Sequence, residues 1–243
     1  MLRIECHNLP AEVSGDVVVV IDVLRMTTTA AALFESGLQE LMVVADIGAA
    51  RELAAVRGAL LVGERGGVEL DGFDGGNSPL EYVGRDLKGM CAVLCSSNGS
   101  RAVEEVAGAD ELLLGCINNA RAVAQSAVSL SQDRISLVCA GTGNRLSFDD
   151  VLAAGSIARE LLKLEPEAAL DDGARLALLA LESSPGLGAS LMSTGHGRTL
   201  AQLGFTADIE FAAALNRSCV VPIRSLRRPA TFVDEPLRMP TVV

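Results

Sequence analysis

The chain's 243 residues are 49% hydrophobic and 21% charged, enough length and apolar content for one or two domains with a sizeable core, which excludes disorder. Aromatic residues reach only 3%, so Leu, Val and Ala must build that core, and base-stacking platforms are excluded. A formal net charge of −11 excludes general attraction to nucleic acid or anionic membranes, so any anionic ligand must be held by local positive charge.

In chain order, the opening segment Met1–Asp16 has no basic stretch ahead of a long apolar run, and Val17–Ile21 is too short to span a bilayer. A soluble, cytoplasmic protein is the expectation. Apolar runs at Val17–Val23, Leu41–Ala45, Ala59–Gly63, Cys91–Cys95, Glu111–Cys116 and Ile135–Ala140 read as strands. Helical patterns over Thr28–Ser36, Ile47–Arg57, Asn98–Ala107, Asn118–Leu130 and Ser147–Lys163 fall between them. Near-continuous hydrophobicity marks strands covered on both faces, and the alternation predicts a layered α/β/α sandwich with a mainly parallel or mixed sheet. Beyond Pro166 come Ala/Leu-rich helices over Glu167–Leu181 and Thr206–Leu215, then a strand at Cys219–Arg224. No segment is rich enough in Pro, Gly or Ser to be a linker, so residues 1–243 read as a single α/β domain or two closely packed subdomains.

Four strand ends carry a small polar turn, an Arg and then a helix: IDVLRMTTTAA, CSSNGSRAVEE, CINNARAVA and CAGTGNRLSFDD. In an open α/β sheet ligands bind beyond the carboxyl ends of the strands, so these turns are expected to converge. In the first, Asp22, Arg25 and the hydroxyls of Thr27, Thr28 and Thr29 stand at a helix start, where backbone N–H groups and the macrodipole favour an anion; an ordinary cap would need one of those threonines. The Gly-rich stretch from Gly63 to Pro79 is too long for a mere connection, and its Glu64 and Asp74 could join Asp22 as hard oxygen ligands for Mg²⁺; Glu69 and Asp71 read as solvated loop charges.

Arg25, Arg101 and Arg145 are candidates to clamp phosphate and a second anionic group. Asn77, Ser78, Ser97, Asn98, Gly99 and Thr142 are candidates for neutral contacts to the substrate, and His196 for a contact to phosphate or a helix cap. Cys95 to Arg101 and Cys139 to Arg145 each fit C-x5-R, the pattern of thiolate phosphatases. Two fixed positions recurring twice in one chain are weak support, and apolar flanks make these cysteines structural. Six cysteines without a CxxC pair indicate neither zinc nor a disulfide framework. No complete dinucleotide or P-loop fingerprint occurs, and Asp149–Asp150 at a helix start reads as complementing the helix dipole.

Taken together, DVLRMTTTA, GERGGVELDGFDGGNSPLEY, SSNGSRA, CAGTGNRLSFDDVLAAG and the segment from Ser190 to Asp208 resemble the 2-phosphosulfolactate phosphatase family across most of the chain. That resemblance implies an α/β, Mg²⁺-dependent phosphatase converting 2-phospho-3-sulfolactate to 3-sulfolactate and phosphate, a step toward coenzyme M in methanogens. Another small phosphorylated acid could be the substrate, since coenzyme M is not made by every organism with such sequences. The residue roles above come from side-chain chemistry alone. A metal-independent Cys phosphatase and a non-enzymatic anion-binding protein stand as rivals. An apolar composition, with mean hydropathy +0.36, suits a homodimer.

Overall fold

Val17–Ile21 is buried at all five positions, and the reason is its place in the sheet: this strand (β2) pairs in parallel with Glu111–Gly115 (β7) on one side and Arg134–Cys139 (β8) on the other. The computed structural model describes residues 1–11, 13, 16–225 and 230–234. Among them, Arg3–His7 (β1), Glu40–Val43 (β3), Leu60–Arg65 (β4), Val68–Glu69 (β5), Cys91–Cys95 (β6) and Ala169–Leu170 (β9) are further strands, followed by Pro222–Arg224 (β10) and Thr231–Asp234 (β11). The helices are Met26–Glu35 (α1), Ile47–Arg57 (α2), Gly99–Glu105 (α3), Ala120–Leu130 (α4), Phe148–Leu164 (α5), Asp172–Glu182 (α6), Leu187–Ser193 (α7), Gly195–Gln202 (α8) and Thr206–Ala212 (α9).

The eleven strands among the described residues form one sheet in the order β5-β4-β6-β3-β11-β10-β7-β2-β8-β1-β9. The blocks β4-β6-β3 and β7-β2-β8-β1-β9 are parallel within themselves, as the α/β reading expects. Between them lie β11 and β10, antiparallel to each other and to their neighbours β3 and β7, so the two blocks run in opposite senses. The blocks face one another across α1 and α3. A single apolar cluster contains Val18 and Leu112 from one block, Leu41 and Leu94 from the other, and Leu33 and Val103 from the helices between. The outer face of the larger block is covered by α4, α5 and α6, and that of the smaller block by α2. No helix among the described residues is long and apolar enough to cross a membrane.

Local chemistry explains where the sequence reading holds and where it shifts. Asp46 accepts the Ala49 N–H at 2.8 Å and Gly58 adopts the left-handed conformation, so α2 is fixed at both ends and matches its predicted span. The helix read from Glu167 starts instead at Asp172. Asp171 caps it through the Ala174 N–H, and Ala169–Leu170 is drawn off to pair with β1. Helices α7 and α8, at seven and eight residues, are too short to leave a clear periodic signal.

Candidate active site

Helix α1 is the element that makes a site possible, because it is buried at every position from Met26 to Phe34 and carries the end of β2 into the middle of the molecule. Its β-branched threonines are poor interior helix formers, yet each hydroxyl finds a backbone carbonyl. Thr27 donates to Asp22 O at 2.9 Å, Thr28 to Val23 O at 2.8 Å and Thr29 to Asn77 O at 2.8 Å. These three hydroxyls, expected to bind substrate, are therefore spent on holding the Asp22 turn and the Asn77 loop in place.

The carboxyl ends of β2, β4, β6 and β8 and the start of α8 enclose a cleft of about 340 Å³. Asp22, Arg25, Glu64, Asn77, Ser97, Asn98, Thr142 and His196 all line it, so eight of the sequence-derived candidates converge. Arg25, Asn98 and Thr194 are the residues preceding α1, α3 and α8, so three helix N-termini open toward this region and favour negative charge there. Gly99 contributes by having no side chain: a Cβ there would sit 2.5 Å from Asp22 Oδ2 and from Met26 Cε.

Other candidates lie elsewhere, for identifiable reasons. Asp74 is exposed and its Oδ2 accepts the Leu61 N–H at 2.8 Å, because Phe73 is anchored in the α2 cluster and carries this part of the loop to the far side of β4. Asp74 lines a separate shallow cavity beside Arg51, so the expected Asp22–Glu64–Asp74 triad does not assemble. Arg101 and Arg145 are exposed and do not line the cleft, and the Arg101 Nη2 donates to Asn144 Oδ1. Ser78 is turned away, donating to Asp208 Oδ1 at 2.7 Å. The turn after β7, grouped with the other three by its sequence, serves the fold. Asn118 donates to the carbonyls of Phe211 and Ala214, and Asn119 to those of Leu114 and Val220.

Arg25 is the one guanidinium lining the cleft among the described residues, and it is already neutralised. Its Nη1 donates to Asp208 Oδ2 at 2.7 Å, its Nη2 donates to Gly67 O at 2.6 Å, and its Cζ lies 4.0 Å from the Phe205 ring centroid. The expected Arg clamp is thus reduced to a side chain whose terminal nitrogens are both engaged.

The acidic side is uncompensated by comparison. Burial pushes the Asp22 carboxyl up to about 6; Glu64 and Asp149 push it the same way, and His196 and the Met26 N–H oppose. Burial raises Asp149 as well, against the Ser147 hydroxyl and His196. Asp150 is pushed far up by burial and by the neighbouring Asp149 and Asp22. Its oxygens accept the Val23 and Gly141 N–H groups, each at 2.9 Å, tying the β2 and β8 turns together. Glu64 accepts from the Ser97 and Gly67 N–H groups, each at 2.7 Å, and from the Ser97 hydroxyl at 3.2 Å.

Asp149, Asp150 and Asp208 are buried carboxyl groups behind the cleft wall that sequence reasoning did not single out as site residues. The first two carried a signal, a doubled acid directly after a strand-end turn, whereas Asp208 is recognisable only as the last residue of the family-like segment.

The donor set fits Mg²⁺. Asp22 and Glu64 offer two carboxylates, and the buried Asn77 has an Oδ1 without a hydrogen-bond partner. No group of three or more His, Cys, Asp or Glu side chains among the described residues forms a metal cage. Mg²⁺ characteristically uses one or two carboxylates and keeps waters and phosphate oxygens for its remaining positions.

Neither thiol of the C-x5-R patterns lines the cleft. Cys95 Sγ contacts Ala45 O and Arg65, and burial raises its pKa despite that Arg; Cys139 is fully buried with its pKa raised by a hydrogen bond with Cys6 and by burial. Cys95→Ser and Cys139→Ser are expected to keep turnover within about threefold of the parent and to lower the melting temperature modestly, since a hydroxyl costs more to desolvate than a thiol in these buried sites. Phosphate release and thermal melts check this; a phosphocysteine trapped in the parent contradicts it.

The family model described as 2-phosphosulpholactate phosphatase matches residues 5–226. A Deinococcus radiodurans protein named "Probable 2-phosphosulfolactate phosphatase" is 43% identical over 223 residues, covering 91% of this chain and 92% of its own. Proteins of the same name from Caldanaerobacter subterraneus subsp. tengcongensis (37% identical, covering 84% of this chain and 86% of its own) and Thermus thermophilus (34%, 91% and 94%) are similar along comparable lengths.

Proposed function

The chain belongs to the 2-phosphosulpholactate phosphatase family, and from that footing we propose that its cleft hydrolyses 2-phospho-3-sulfolactate to 3-sulfolactate and phosphate with Mg²⁺ held by Asp22, Glu64 and the Asn77 Oδ1. One observation carries the metal requirement. The cleft for a polyanionic substrate is lined by the buried carboxylates Asp22 and Glu64, while the one guanidinium that lines it among the described residues is cancelled by Asp208. A polyanion placed against such a wall is repelled unless a divalent cation lies between them.

Bound there, Mg²⁺ supplies charge neutralisation at the phosphoryl oxygens and orientation of the attacking water. The chain's own residues do the positioning. The N-termini of α1, α3 and α8 favour the anionic groups of the substrate, Ser97, Asn98 and Thr142 offer neutral hydrogen bonds, and His196 offers a ring N–H. Glu64 is held rigid by its three hydrogen bonds, so little reorganisation is required as charge develops. We propose further, on composition and not on the chemistry of the cleft, that the enzyme is a cytoplasmic homodimer. Described cysteines that are free thiols, and the exposed Leu176 and Leu179 on α6, support it.

Chelator is expected to abolish phosphate release from 2-phospho-3-sulfolactate, and Mg²⁺ to restore it. A second readout follows from the titration of Asp22. Its folded pKa, about 6, lies above its ordinary value of 3.8, so the stability it contributes is fully present below 3.8 and is lost as pH rises through about 6. In chelator, the parent should gain more melting temperature than Asp22→Asn between pH 7.5 and pH 5. Because the ion binds the ionised carboxylate, Mg²⁺ should raise the parent's melting temperature more at pH 7.5 than at pH 5. Full turnover in chelator, with melts indifferent to Mg²⁺, contradicts the reading.

A further inference from the structure

Three segments distant in sequence meet at one buried ion pair, Arg25 with Asp208, whose side chains are 2% and 3% exposed. Such pairs are a poor source of stability, since the desolvation of both charges offsets their attraction and apolar residues of similar volume usually serve as well. The contacts of this pair lead instead to the cleft. From Arg25, Nη2 holds the Gly67 carbonyl at 2.6 Å, and the N–H of the same Gly67 donates to Glu64 Oε2 at 2.7 Å. From Asp208, Oδ1 accepts the Ser78 hydroxyl at 2.7 Å, and the neighbouring Asn77 has its carbonyl held by Thr29 at 2.8 Å. The pair therefore reaches Glu64 on one wall of the cleft and Asn77 on the other, each through one intervening residue.

We propose that Asp208 is a positioning residue which, through Arg25 and Ser78, fixes Glu64 and Asn77 in the geometry that binds the metal. It touches neither substrate nor ion. Its second effect is electrostatic: it keeps the Arg25 guanidinium, which lines the cleft, from pairing with Asp22 or Glu64 and taking the place of the cation. The Phe205 ring, with its centroid 4.0 Å from Arg25 Cζ, covers the guanidinium on the α9 side, so the segment carrying α9 completes a site otherwise built by strand ends. This inference rests on the metal reading of the cleft, and its test separates the two.

The experiment compares the parent with Asp208→Asn and with the apolar pair Arg25→Met/Asp208→Leu. Mg²⁺ affinity is measured by calorimetry, kcat and KM on 2-phospho-3-sulfolactate separately, and the fold by thermal melts in chelator. The apolar pair is expected to melt close to the parent but to bind Mg²⁺ about ten- to a hundredfold more weakly, with kcat falling by a similar factor and KM moving less. Asp208→Asn should bind Mg²⁺ more weakly still, because an unneutralised guanidinium then competes for the same carboxylates. A purely structural role has no reason to produce that order. Parent-like Mg²⁺ affinity and kcat in a folded apolar pair overturns the proposal; if that pair does not fold, parent-like values in Asp208→Asn overturn it equally. A parent that binds no Mg²⁺ defeats the metal reading and this inference with it, whereas a parent that binds Mg²⁺ beside a folded variant with parent-like affinity and kcat defeats the positioning role alone.

Discussion

Asp22→Asn is expected to lower kcat/KM on 2-phospho-3-sulfolactate by about a thousandfold, the scale of removing a group that stabilises transition-state charge. The amide is the same size and fits the space that Gly99 leaves open, so the loss is one of charge. Stability should move the opposite way. At pH 7.5 the parent's carboxylate is buried and faces Glu64 and Asp149, and Asn removes that repulsion, so the metal-free variant should melt at or above the parent. Mg²⁺ should no longer raise its melting temperature appreciably. A variant with turnover within tenfold of the parent, or one destabilised in chelator, contradicts this assignment of Asp22.

Asp150→Ala should produce the largest loss of stability. Its two oxygens are the acceptors for the Val23 and Gly141 N–H groups, and both bonds are buried. Ala strands both donors at about 1–3 kcal/mol each, and at this chain length each kcal/mol corresponds to about 2–4 °C, so a fall of about 5–20 °C is expected. Activity should fall too, because the turn holding Asp22 is no longer tied to the turn holding Thr142. Asp150→Asn, which keeps one acceptor oxygen, should recover part of both losses. A melting temperature within 2 °C of the parent for the Ala variant would remove Asp150 from this role.

Most of the fold was legible because its central strands are apolar on both faces and its helices are punctuated. Ile47–Arg57, with Asp before it and Gly after it, and the run Cys91–Cys95 are placed as their patterns predict. What the pattern could not carry was partnership. Nothing local in Arg25 reveals that a carboxylate 183 positions away neutralises it. Nothing in Asp74 tells that the buried Phe73 turns it away from Glu64, or that Asn118 and Asn119 brace the C-terminal segment while the similar turn at Ser96–Gly99 serves the cleft. Strand-end turns share one chemistry because helix starts need polar residues wherever they occur. Which of them gather is decided by strand order, and strand order depends on contacts far apart in the chain.

That order has its own consequence for how the chain is made. The hairpin β10–β11 is the seam of the sheet, yet it is the last of its described strands to be synthesised. Until residues 222–234 are available, β3 and β7 are both open edges with unpaired backbone groups, and their side chains Leu41 and Leu113 belong to the apolar interior. Edges of that kind invite pairing with other chains. A nascent chain can assemble each parallel block from earlier segments, but the blocks are stitched together only once both β10 and β11 have been made. Such long-range closure slows folding, and until it happens the open edges of the half-built sheet are the places where the chain can aggregate.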